Sequence, residues 1–197
     1  MIEERVPLDF ERGLTQFIPK PLLDPFALTK FHGHNAIHYC LGLEAKERGL
    51  IYMHQVREDA DLMAWAREAF VHEAGVGLRN KFLNFEDELF TQDGFAAYAN
   101  NALERMINPY LRDPIDRVTR DPKRKLGWDD RLVGSIRYAI NAGLNPKKMI
   151  RSARKSLGEI MTAEGLQSQI DSLDLAWKGT IHSEEMEALS ELILSSH

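Results

Sequence analysis

From Ala27 to the C terminus, apolar residues recur at intervals of three or four, and nowhere do apolar and polar residues alternate convincingly. That periodicity fixes the class: a repeat near 3.6 buries one stripe of a helix, whereas a repeat of two buries one face of a strand. Ile37, Leu41 and Ala45 recur every fourth position within 27–47, and Gly49 stands where a glycine closes a helix in the left-handed conformation. A second helix is expected at 52–60. A third, at 61–81, sets Leu62, Trp65, Ala69 and His72 on one face, with Gly75 and Gly77 marking a kink or an end. The run 95–107 stops at Asn108-Pro109, because the residue before a proline is pushed out of the α region. Asp113-Pro114 offers an N-cap and a first-turn proline for a short helix to about Thr119. Further helices are expected at 128–144, N-capped near Asp129, at 146–157, and at 183–195, which opens on Ser183. Residues 27–197 therefore read as a mainly α domain of about seven or eight helices. Residues 1–26 carry Pro7, Pro19, Pro21 and Pro25 and read as an extended lead-in with one short strand.

Composition narrows the chemistry. With 197 residues, 44% apolar and 28% charged, the chain can bury the core of one domain and is not disordered. A net charge of −5 gives no general field for nucleic acid or anionic membranes, so any polyanion site must be local. Cys40 is alone, which excludes an internal disulfide. The opening MIEERVPLDFERG is acidic and has no apolar run, and no window approaches the roughly 20 apolar residues that span a bilayer. A soluble cytoplasmic protein is expected, without nucleic-acid or membrane partners.

The stretch TKFHGHNAIHYCLG, 29–42, concentrates polar groups at the start of the first helix. His34 and His38, at i and i+4, share a face as metal ligands do, but a third ligand from His54, His72 or a carboxylate is not specified, and no metal is expected. GVGLRN at 75–80 has no strand before it and fails as a dinucleotide fingerprint. Lys30, Asn35 and His38 make a different constellation. At about 100° per residue, Lys30 and His38 lie about 80° apart and Asn35 about 60° beyond, over about 12 Å of axis. A titratable amine, an amide and an imidazole on one broad face suit reversible oxidation of a secondary alcohol. Such chemistry needs a base for the hydroxyl proton and fixed groups around the reacting oxygen.

The spacing K-x4-N-x2-H of Lys30, Asn35 and His38 resembles that of the polyol-specific long-chain dehydrogenase (mannitol dehydrogenase) family. NPYLRDPIDRVTRDPKRKLGWDDR at 108–131 resembles a second run found in the phosphate-type members of that family. The resemblance implies a helical domain like the C-terminal domain of 6-phosphogluconate dehydrogenase. It implies Lys30 as general acid and base, Asn35 and His38 as the groups that position the reacting oxygen and the lysine, and Arg117 and Lys125 as polyol contacts. Arg120 and Arg124 extend the largest basic cluster of an acidic chain, and with Arg117 and Lys125 they are expected to bind a polyol or sugar phosphate, arginine forks gripping the phosphate. The family uses NAD, held mainly by a nucleotide-binding α/β domain for which this chain has neither the glycine turn nor room. Residues 1–26 would be the tail of that domain, and a separate nucleotide-binding subunit is a possible partner. The alternative is a sugar-phosphate binder or assembly module without turnover.

Overall fold

The computed structural model describes residues 1–3 and 18–195, with the backbone alone for Ile2 and Glu3. Pro7 and most of the expected lead-in lie outside the described residues. The described part of the lead-in holds one short parallel pair, β1 (Ile2–Glu3) beside β2 (Pro19–Lys20).

Helix α1 (Asp24–Thr29) starts three residues before the periodicity suggests, with Pro25 in its first turn, where a missing N–H is harmless. The run then widens into a π turn, Lys30–Asn35, and returns to α geometry in α2 (Ala36–Glu47). Gly49 takes φ of 73°, and the Leu50 N–H reaches back to the Ala45 carbonyl at 3.1 Å, so the expected glycine closure forms. The expected helix at 52–60 is a 3-10 turn, Met53–Glu58. Next come α3 (Ala60–Glu68), a second π turn at Ala69–Ala74, and α4 (Gly75–Lys81), again as one run. A π turn closes i→i+5 rather than i→i+4 bonds and so shifts the register of everything after it. His72 is therefore exposed, not on the buried face with Leu62 and Ala69.

Beyond α4 lie α5 (Gln92–Met106), α6 (Ile115–Thr119), α7 (Pro122–Lys125) and α8 (Arg131–Asn141). Then follow α9 (Lys147–Glu164), α10 (Gln169–Ala176) and α11 (Glu184–Leu194). Asp130, not Asp129, caps α8, its Oδ1 accepting from the Arg131 N–H at 2.7 Å. Ser183 caps α11 as expected. Helices α7 and α10 had no clear periodic signal, and α9 runs about two turns past the expected end before Gly165 stops it at φ 66°.

The central helix is α2, in which Ile37, Tyr39, Cys40, Leu41 and Leu43 are all buried. Such all-round burial marks an interior helix. Helices α6, α8 and α9 surround it, and α4 lies across α8. The crossings are close because glycines stand at them. A Cβ on Gly42 would come within 2.7 Å of Val118 Cγ1, and one on Gly77 within 2.6 Å of the Ala139 nitrogen. Gly75 and Gly77 mark neither kink nor end; they are contact points. Gly33 lets Phe70 and Leu78 press on the first π turn, where a Cβ would meet them at 3.1 and 3.3 Å. No described helix is long and apolar enough to cross a membrane.

Candidate active site

A cleft of about 1050 Å³ opens between the first π turn, α5 and the segment from Asp113 to Lys125. Lys30, Asn35, His38, Arg117, Arg120, Arg124 and Lys125 all line it, so one concavity gathers the seven candidate site residues of the two sequence stretches. The two stretches meet because α6 packs along α2 at Gly42.

The π turn puts Lys30 and Asn35 on a widened coil, so the angles of an ideal α-helix do not apply between them. The broad face survives because α2 resumes directly at Ala36 and carries His38 to the cleft. Lys30 is exposed at the mouth, while Asn35 and His38 are half-buried. Burial, reinforced by Arg105 and Lys30, lowers His34 to about 4. Burial likewise lowers His38 to about 4, against the opposing pull of Asp113. Both imidazoles are neutral at pH 7. His32 faces away from the cleft, its ring packed on Gly134 and 4.9 Å from the Tyr138 ring, and Ser135 donates to its carbonyl at 2.5 Å. Among the described residues, no three His, Cys, Asp or Glu side chains converge as metal ligands. Cys40 is fully buried, and burial holds its thiol up at about 12.

The basic cluster divides into engaged and unengaged cations. Arg117 donates through Nε and Nη2 to the two oxygens of Asp113, each at 2.6 Å, leaving Nη1 of its fork. Lys125, only 4% exposed, donates to the carbonyls of Val118, at 2.7 Å, and of Arg120, and sits 4.8 Å over the Tyr39 ring. Burial, with Arg131 and Arg124 nearby, lowers it to about 8. Arg124 approaches Asp130 at 3.4 Å and Asp121 at 3.8 Å. Lys30, Arg105 and Arg120 form no ion pair among the described residues.

The sequence reading missed Arg105 and misread Asp113. Tyr98, Asn101, Ala102 and Arg105 all line the cleft and follow the i, i+3, i+4, i+7 rhythm of one face of α5. That rhythm was visible in the sequence, but only the fold says that this face looks onto Lys30 and His34. Asp113 was expected to cap α6; Pro114 occupies that position, and the carboxylate turns to Arg117.

Residues 22–156, more than half the chain, match the sequence profile of the mannitol dehydrogenase C-terminal domain. The chain belongs to that family. The helical architecture is the one the mannitol dehydrogenase C-terminal domain shares with 6-phosphogluconate dehydrogenase C-terminal domains. Among curated proteins, it is 31% identical over 125 residues to the mannitol-1-phosphate 5-dehydrogenase of Lacticaseibacillus casei, which covers 64% of this chain and 31% of that protein. Against the enzyme of that name from Caldanaerobacter subterraneus it is 30% identical over 124 residues, 63% of this chain and 30% of the relative. For Halalkalibacterium halodurans the figures are 29% over 128 residues, 65% and 32%. The matched region thus spans about a third of these relatives.

Proposed function

We propose that this chain is the substrate-binding and catalytic-base domain of an NAD-dependent polyol-phosphate dehydrogenase that oxidises mannitol 1-phosphate or a similar polyol phosphate to the ketose phosphate. The observation that carries the reading is the shared cleft, which sets Lys30, Asn35 and His38 against a concentration of cations in a chain of net charge −5. Lys30 takes the alcohol proton at Nζ and returns it in the reverse direction. Asn35 and His38 orient the reacting alcohol; being neutral, His38 does not compete with Lys30 for that proton. Arg117, through its remaining Nη1, and Lys125 serve the polyol hydroxyls. Arg120, Arg105 and Arg124 hold the phosphate: the first two form no ion pair among the described residues, and Arg124 exchanges its longer contacts with Asp130 and Asp121 for the dianion. Hydride removal needs an acceptor, which NAD supplies. Gly75 and Gly77, the glycines of GVGLRN, are closed off by Phe95 and by the backbone of Tyr138 and Ala139, so that stretch does not cradle its pyrophosphate.

The test combines the chain with the nucleotide-binding domain of a relative and follows NAD reduction by mannitol 1-phosphate. Turnover is expected, with a loss of at least 100-fold in Lys30→Ala. Undiminished turnover in Lys30→Ala would remove the lysine from its role. Calorimetric binding of the polyol phosphate without turnover in any mixture would favour a sugar-phosphate binder.

A further inference from the structure

Among the described residues, Asp113 is the one carboxylate that touches both His38 and Arg117. Its backbone is clamped. The Asp113 carbonyl accepts the Met53 N–H at 2.9 Å, the Ile115 N–H donates to the Ile51 carbonyl at 2.9 Å, and Tyr52 pairs with Pro114 in an antiparallel bridge. The residue before it, Arg112, is left-handed at φ 43°, turning the chain so that the Asp113 side chain is directed inward. That side chain is only 7% exposed. Both of its oxygens receive Arg117, at 2.6 Å each, and Oδ2 also lies 3.5 Å from Nε2 of His38. A cap that satisfied a helix N-terminus would leave no such arrangement, and the carboxylate makes no cap bond.

His38 Nε2 is the complementary observation. It is buried and has no hydrogen-bond partner among the described residues. At 3.5 Å the contact with Oδ2 is longer than a formed hydrogen bond, yet a buried nitrogen must resolve it one way or the other. A bare lone pair facing a carboxylate is repelled, whereas an N–H facing it is attracted. Of the other titratable groups that act on this ring, Arg117 and Lys125 carry no acceptor, and the neutral His34 ring, its centroid 6.0 Å away, makes no hydrogen bond to Nε2.

We propose that Asp113 is a positioning residue that fixes His38 in the Nε2–H tautomer while holding Arg117, so that the central helix and the basic segment present their polar groups as one unit. The chemical consequence is a division of labour. With Nε2 carrying the proton, Nδ1 is the lone-pair nitrogen, and it accepts a hydrogen bond from a polyol hydroxyl or from the Lys30 ammonium. An acceptor nitrogen gives nothing to a developing oxyanion, so Asn35 Nδ2 is the neutral donor left for that charge. Exchange of the carboxylate changes the hydrogen-bonding sense of His38 as well as the anchorage of Arg117.

The inference rests on the polyol-site reading for its catalytic meaning, but its test needs neither substrate nor cofactor. The full chain with ring-15N-labelled histidine is examined at pH 7 by long-range proton–nitrogen correlation, with His38 assigned by its loss in His38→Gln. The wild type is expected to show a single His38 tautomer protonated at Nε2; protonation at Nδ1 would overturn the proposal without any further variant. Asp113→Ala is expected to give a mixture of tautomers, and Arg117→Met to keep the wild-type one, since loss of the arginine leaves the carboxylate in place. An unchanged single tautomer in folded Asp113→Ala would equally sink the idea, because Asp113 would then merely anchor Arg117. A failed turnover assay bears on the polyol reading and leaves the tautomer result standing.

Discussion

His38 shows how burial sets the charge of a single residue in this cleft. Its pKa lies near 4 in the folded chain and near the ordinary 6.5 when unfolded. Between those values the unfolded chain binds the extra proton, so stability falls as the pH drops through that window and is complete only above about 6.5. His38 alone accounts for about 2 to 3 kcal/mol of that loss by pH 4.5, from the displaced pKa. Urea unfolding at pH 7 and pH 4.5 should therefore show a smaller acid loss in His38→Gln than in the wild type; equal losses would mean that the imidazole is not held neutral. Lys125 is shifted in the same sense by the same cause, and its donation to two carbonyls at the end of α6 makes it a structural strut as well as a cleft cation.

At the scale of elements, glycines and π turns decide how closely helices approach. Gly77 lets α4 lie directly on the backbone of α8, and in Gly77→Ala the new Cβ would overlap the Tyr138–Ala139 peptide at 2.6 to 2.9 Å. Overpacking of this kind costs about 1 to 3 kcal/mol, more than the roughly 1 kcal/mol that alanine gains in helix propensity. Gly158, inside α9, has open space where its Cβ would be, so Gly158→Ala keeps only the propensity gain, about 0.5 to 1 kcal/mol. Thermal unfolding should thus move Tm in opposite directions for two substitutions that look alike on paper; a stabilised Gly77→Ala would refute the tight crossing. The π turns matter for function in the same mechanical way. One of them carries Lys30 and Asn35 onto the cleft, and the other brings Phe70 against Gly33 to support it from behind.

Over the whole molecule, an acidic chain concentrates cations at one place. On the proposed reading, a cleft so lined draws a phosphate by field as well as by contact, and exposed charges are screened within about 8 Å at physiological salt. Affinity for mannitol 1-phosphate is therefore expected to fall several-fold between about 50 and 500 mM salt, while weak binding of mannitol itself stays nearly flat. Calorimetry across that range checks it, and parallel slopes would show that the phosphate gains nothing from the cluster. The sequence by itself determined the helical class and the ends marked by Gly49 and Ser183, because periodicity and caps are local and are written along the chain, and a motif resemblance was enough to name the seven candidate residues. It could not determine that the two stretches meet across Gly42, that α5 contributes Arg105, or that Asp113 leaves its cap position for Arg117 and His38. Those depend on which helix faces touch, a property of the packed molecule. The π turns belong to the same group, since the widened coil at Lys30–Asn35 accompanies the packing of Phe70 and Leu78 on Gly33, residues far apart in sequence that only the folded core brings together.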